Sequence, residues 1–309
     1  MSATQKDQLI VVGFDGSREG DFALEWAARV AQRRACPLLI ISATEVDPDS
    51  VELARPGIQE MYLRRAQQLA ESGIPRARMF TDTEVRASGQ PGDAANALVE
   101  GADHATLLVI GHRTRGILPD IILGSVAFKV TSHATCPVAV VRKSPRPLPS
   151  DKFPVVVGVD GSKFGVRALD EAAHLAAETN SFLRIVVAWK RPNWDLWSLA
   201  SSLRPADNRS LADQAADEKI YQQVVADTSR QAETIAQQAI DQIQQRYPDL
   251  RTESVITEGP ADQAILAAAS DASMIAVGAR GLGDLPGLQI GSISRKVMQR
   301  AECAVYVVR

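Results

Sequence analysis

The sequence predicts an α/β protein made of two copies of one unit. Each copy is an open, five-stranded parallel sheet with helices on both faces. Three observations predict this. Strand-length apolar runs alternate with stretches of helical spacing along all 309 residues. The run Val11-Val12-Gly13-Phe14-Asp15-Gly16-Ser17 returns 145 residues later as Val156-Val157-Gly158-Val159-Asp160-Gly161-Ser162. A passage of strand, glycine-containing loop and helix is also written twice, beginning at Leu107 and at Met274.

Residues 9–14 are an apolar run, as expected of a strand covered on both faces. Asp15-Gly16-Ser17 ends it, and Ser17 or Asp15 is suited to cap the next helix. That helix places Phe22, Trp26 and Val30 on one stripe beside Ala23, Ala27 and Ala31. Cys36-Pro37 breaks it, and 38–42 is the second strand. Polar residues 45–57 read as loop. Residues 58–72 have helical spacing, with Gly73 as the expected C-terminal cap. Alternation over 80–87 predicts the third strand, and Gly92-Asp93 opens a short helix through Val99. The fourth strand is 107–110, followed by Gly111-His112-Arg113-Thr114-Arg115-Gly116 and then Gly124-Ser125. A helix at 126–132 leads through Cys136-Pro137 to the fifth strand, 138–142.

Prolines at 145, 147 and 149 make a stiff, extended linker, so the expected domains are 1–143 and 152–309 with the linker at 144–151. In the second copy, 182–188 repeats the second strand at the same offset of 145. Residues 274–278 and 303–309 repeat 107–111 and 136–142 at an offset of 167. The change of offset places 22 additional residues in the second copy, in an insert near 190–210 and a longer helix over 211–247. The insert carries Trp194 and Trp197, with Trp189 just before it. These are read as a contact surface, a lid, or rings folded back on their own domain.

Composition narrows the function classes. With 45% hydrophobic residues the chain can bury two cores. A net charge of −3 gives no sign of a nucleic-acid partner. The apolar runs are too short to span a bilayer, so no membrane is expected. The polar opening MSATQKDQ does not look like a secretory signal, which makes the cytoplasm the expected location. Cys36, Cys136 and Cys303 lack CxxC spacing and are expected to be buried thiols. The four histidines are scattered, so no metal cluster is expected.

The chemistry concentrates at the strand ends. In such a sheet, ligands bind at the carboxyl ends of the strands where strand order reverses. Asp15 and Asp160 end the first strands, and the glycine loops end the fourth. Gly278, Gly281 and Gly291 let backbone approach a bulky anion, or simply let a surface loop turn. Gly291-Ser292 opens a helix whose free N–H groups favour a phosphate. Each aspartate is either an acceptor for a ribose hydroxyl or a helix cap. Arg113 and Arg280 are read as phosphate-neutralising or as solvated loop arginines.

These motifs resemble the universal stress protein family, each half matching one domain. The nucleotide-binding branch carries G-x2-G-x9-G-[ST] after the fourth strand. The second copy has all of it, as Gly278, Gly281, Gly291 and Ser292. The first has Gly111, Gly124 and Ser125, with Thr114 at the second glycine. The resemblance implies a Rossmann-like fold and ATP as ligand, with magnesium accompanying it. It implies that Asp15 and Asp160 face the adenosine, that backbone at Ala43 and Ala188 meets the adenine edge, and that the glycines and Ser125 or Ser292 hold phosphates. The implied set is Gly13, Asp15, Ala43, Gly111, Arg113, Thr114, Gly116, Gly124, Ser125 and Val126 in the first copy. In the second it is Gly158, Asp160, Ala188, Gly278, Arg280, Gly281, Gly283, Gly291, Ser292 and Ile293.

The expected function is an ATP-binding regulatory protein of the stress response, non-catalytic or a very slow ATPase, since no P-loop and no base beside a nucleophile is evident. The alternatives are an adenine-nucleotide hydrolase or adenylating enzyme, and a chaperone or adaptor with vestigial sites. Thr114 predicts a weaker first site through backbone strain, the alternative being that its hydroxyl donates to a phosphate and offsets that strain. The resemblance further implies that domains pair through their fifth strands, here within one chain. A homodimer of tandem chains and a regulatory protein partner are expected beyond that.

Overall fold

The computed structural model describes residues 8–44, 56–112, 124–142, 148–194, 211–284 and 289–309. Arg113, Thr114, Arg115 and Gly116, the polar stretch 45–55, linker residues 144–147 and insert residues 195–210 with Trp197 lie outside the described residues.

The first copy supplies strands β1 (Ile10–Gly13), β2 (Leu38–Thr44), β3 (Val85–Pro91), β4 (Leu107–Gly111) and β5 (Val138–Val141). The second supplies β6 (Val155–Gly158), β7 (Leu183–Trp189), β8 (Thr252–Glu258), β9 (Met274–Gly278) and β10 (Ala304–Val308). The helices are α1 (Arg18–Arg34), α2 (Pro56–Ser72), α3 (Ile74–Ala77), α4 (Ala94–Gly101) and α5 (Ser125–His133), then α6 (Lys163–Glu178), α7 (Leu211–Arg246), α8 (Ala261–Ala268) and α9 (Ser292–Arg300).

The ten strands form one sheet in the order β3-β2-β1-β4-β5-β10-β9-β6-β7-β8. Within each half every pairing is parallel. The halves meet antiparallel at β5 and β10, with Val138 opposite Val307, Ala139 opposite Tyr306 and Val140 opposite Val305. The two expected sheets are therefore halves of one. The fifth strands lie at its centre, and β3 and β8 are its edges.

The apolar runs explain the layering. Alternate side chains of a strand face opposite ways. Ile10 and Val12 belong to a core under α1, α2, α3, α6 and α7, whereas Val11 belongs to a core under α4, α5, α8 and α9. Both cores run unbroken across the two halves. Ser17 and Ser162 cap α1 and α6, each hydroxyl accepting the N–H three residues on at 3.0 Å. The turns before them need positive φ, which Gly16 (72°) and Gly161 (79°) provide.

Two local expectations are corrected. Gly73 is not a left-handed cap: its φ is −77°, and the chain passes directly into the short helix α3. Glycine is favoured there by crowding, since a Cβ would lie 3.2 Å from Leu24 and 3.3 Å from Ile40. The third strand begins at Val85 rather than at residue 80. Gln32 Oε1 at the end of α1 accepts the Thr81 hydroxyl (3.1 Å) and the Asp82 N–H (2.6 Å), holding that stretch away from the sheet. Of the tryptophans, Trp189 packs against the core and Trp194 meets Tyr221 edge-on at 4.7 Å. Tyr221 in turn donates to the Pro192 carbonyl (2.8 Å), so this part of the insert folds back on its own domain.

The seam between halves carries reciprocal arginines. Arg142, just after β5, donates to the Gln299 carbonyl in the last turn of α9. Arg309, just after β10, donates to the Thr131 (3.0 Å) and Ser132 carbonyls in the last turn of α5. Each half thus places a cation at the negative end of the other half's helix. Arg34 and Glu178 add a 3.3 Å ion pair between α1 and α6.

Candidate nucleotide-binding clefts

In each half the first strand lies between the second and the fourth, so strand order reverses between β1 and β4 and between β6 and β9. Both reversal points open into a cleft, and the two are alike in size at about 100 Å³. The first is walled by residues including Gly13, Phe14, Asp15, Ser17, Glu19, Ile41, Ala43, Leu98, Gly111 and Val126. The second is walled by residues including Gly158, Val159, Asp160, Val186, Ala188, Ile265, Gly278, Arg280, Gly281, Asp284 and Ile293.

The aspartates brace the turns beneath the clefts. Asp15 Oδ1 accepts the Ser17 N–H (3.0 Å) and hydroxyl (2.5 Å), and Asp160 Oδ1 accepts the Ser162 N–H (2.9 Å). The helix cap in each case is the serine; the aspartate stands behind it. Asp160 does something further: its Oδ2 accepts the Leu282 N–H at 2.9 Å, tying the first strand's end to the glycine loop.

The loop of the second half is closed by its own carboxylates. Asp284 Oδ2 accepts the Gly281 N–H (2.7 Å), and its Oδ1 accepts the N–H of Ser292, the first residue of α9 (3.3 Å). The motif glycines are explained by what lies against them. A Cβ on Gly281 would sit 2.6 Å from Asp160 Oδ2, and one on Gly291 would sit 2.2 Å from Asp284 Oδ2. Neither has a positive φ, so close approach, not an unusual turn, is what they serve. Gly278 lets α6 pass, since a Cβ there would meet the Phe164 backbone at 2.7 Å; Gly111 does the same against Glu19.

Of the other expected residues, Ser292 is exposed and Gly283 stands in open space at the loop. Gly124 caps α5 and Ser125 begins it, exposed to solvent. Arg280 lies 4.7 Å from the Phe164 ring. Asp284 and Ser294, whose hydroxyl donates to the Gly278 carbonyl (2.6 Å), are residues the sequence did not single out. An acidic residue in a polar loop carries no signal of what it will accept.

His112 follows the first loop glycine and is 3% exposed. Burial, with the Arg142 charge added, brings its imidazole down to about 4, so it is neutral at pH 7. Arg142 Nη2 lies 3.2 Å from its Nε2, which fits an unprotonated nitrogen accepting there.

The universal stress protein family model matches residues 8–142 and 153–309, one copy in each half. The chain belongs to the universal stress protein family. Full-length relatives have the same tandem layout. A universal stress protein of Mycobacterium tuberculosis, Rv1996, is 29% identical over all of this chain and 97% of its own length. A second from that organism, Rv2623, is 28% identical over all of this chain and 99% of its own. A solved universal stress protein from Archaeoglobus fulgidus overlays with a TM-score of 0.64 at 18% identity, covering 98% of both chains, and so supports the fold. Among the described residues no helix is long and apolar enough to cross a membrane.

Proposed function

We propose that the chain is a nucleotide-responsive regulatory protein, binding an adenine nucleotide such as ATP at the strand-order reversal of each half. One observation carries this most directly: Asp160 joins the end of β6 to the glycine loop through Leu282, so a single carboxylate borders both the expected adenosine and phosphate positions. Asp15 and Asp160 are the candidate ribose acceptors. Ala43 and Ala188, each within a cleft wall, are candidates for the adenine edge. Apolar walls formed by Ile41 and Leu98, and by Val186 and Ile265, suit a flat base, while the glycine loops suit the phosphates. Magnesium would accompany the phosphates.

Regulation is favoured over turnover by the cleft chemistry. Among the described residues lining the second cleft, the titratable groups are Asp160, Arg280 and Asp284, and both carboxylates are engaged by backbone N–H groups rather than held beside a nucleophile. The test is mass spectrometry of nucleotide released from freshly purified full-length protein, followed by calorimetric titration with adenosine, AMP, ADP and ATP with magnesium. Co-purified adenine nucleotide, or a binding isotherm with any of the four, supports the reading. Nucleotide-free protein that shows neither heat nor a thermal shift at millimolar ligand refutes it.

A further inference from the structure

Three of the N–H groups that the glycine loop would offer to phosphate oxygens are already held in the second cleft by carboxylates. Leu282 N–H is held by Asp160, and Gly281 and Ser292 N–H are held by the two oxygens of Asp284. The Gly291 N–H donates to the Ala279 carbonyl at 2.6 Å. A carboxylate and a phosphate make the same demand of such donors: negative oxygens that accept short, charge-assisted hydrogen bonds at the positive end of a helix. Asp284 therefore sits as an internal anion between the loop and the start of α9. Glycine at 281 and 291 leaves room for these carboxylates, since a Cβ at either would fall within 2.6 Å of an Asp160 or Asp284 oxygen.

We propose that Asp284 is a specificity-determining residue that competes with the phosphate chain for the loop donors, so that the second cleft discriminates adenine ligands by phosphate number. This rests on the proposed adenine-nucleotide function and names what that site selects. To seat a polyphosphate on Gly281 and Ser292, the protein must first turn Asp284 away, and the displaced carboxylate then repels the incoming anion. A nucleoside without phosphates meets neither penalty. At the offset of 167 the position equivalent to Asp284 is Ile117, which carries no carboxylate.

The test uses full-length protein and the variants Asp284→Ala and Asp284→Asn, titrated separately with adenosine, ATP and inorganic tripolyphosphate, with thermal melts to establish folding. Isotherms are fitted to two sites, and the component that changes is assigned to the second cleft. The expected result is that Asp284→Ala raises the ratio of ATP to adenosine affinity at that site at least tenfold. Adenosine binding stays within twofold, tripolyphosphate binding strengthens, and Asp284→Asn falls between. An unchanged ratio overturns the proposal. So does a lower one, which would show Asp284 helping to hold the phosphates through a cation. Should neither adenosine nor ATP bind any of the proteins, the adenine reading fails. A gain in tripolyphosphate binding would then still support the role of Asp284, and no gain would overturn that too.

Discussion

Gly281→Ala tests whether the motif's second glycine serves close approach. The new Cβ would lie 2.6 Å from Asp160 Oδ2, where ordinary contact begins at 3.4 Å. That carboxylate is held between the N–H groups of Ser162 and Leu282, each at 2.9 Å. It can relieve the clash only by turning off Leu282. A hydrogen bond to a charged group contributes about 1.5–3 kcal/mol, and water replaces part of it at this half-buried site, so the expected loss is about 1–2 kcal/mol. Over a domain of this size that lowers the melting temperature by about 2–8 °C. The assay is thermal unfolding of the full chain, beside Gly283→Ala as control. At Gly283 a Cβ meets nothing within 4 Å, so the control should stay within about 0.5 kcal/mol of the parent. In an Asp160→Ala background, Gly281→Ala should become nearly silent, because the atom it displaces is gone. If Gly281→Ala is as harmless as Gly283→Ala, or if its penalty survives the loss of Asp160, close approach to that carboxylate is not what the glycine serves.

Asp160→Ala should weaken adenosine binding at the second cleft by about 1–3 kcal/mol if its carboxylate accepts from the ribose; calorimetry and melting on the same variant separate lost affinity from lost stability. Ser162→Ala removes the cap of α6 and should cost about 1 kcal/mol of stability, read by chemical denaturation. Arg309→Met should destabilise the seam by about 1–3 kcal/mol, since it leaves the Thr131 and Ser132 carbonyls without their charged donor. His112 makes stability depend on acid. Its folded value of about 4 lies below the ordinary 6.5, so the unfolded chain takes up the proton first as pH falls. Stability should therefore decline from about pH 6.5 to pH 4 and then level, by up to about 3 kcal/mol, at 1.36 kcal/mol per pKa unit. Denaturation curves across that range should show His112→Gln removing this part of the slope.

The sequence showed most of the fold because two local signals agreed with the tertiary outcome. Buried parallel strands read as apolar runs, and duplication allowed each half to check the other. It failed where a distant side chain decided. Gln32 draws residues 81–82 off the sheet from fifty positions away, and nothing local to Thr81 announces it. The aspartates and glycines of the clefts were legible as types, at the strand ends where such folds bind ligands. The partners that fill the glycine loop were not, since Asp284 looks like any solvated loop acid. Arg142 and Arg309 stood in matching places in CPVAVVR and CAVYVVR, but their acceptors are backbone carbonyls, which every residue carries.

The central seam bears on how the chain is made. β5 pairs with β10 (Ala304–Val308), far along the chain from it. During synthesis the first half can fold while β5 still presents an unpaired, wholly apolar VAVV edge. That edge waits for more than 160 further residues to be translated. Neighbouring chains on one message expose identical edges over the same interval, and an antiparallel pairing of β5 with a second β5 would satisfy the same hydrogen bonds. Slow passage through the long helix α7 would lengthen the exposure, whereas early arrival of β10 would end it. Ribosome-stalled chains ending before Ala304 are accordingly the species in which cross-linked pairs of first halves should accumulate.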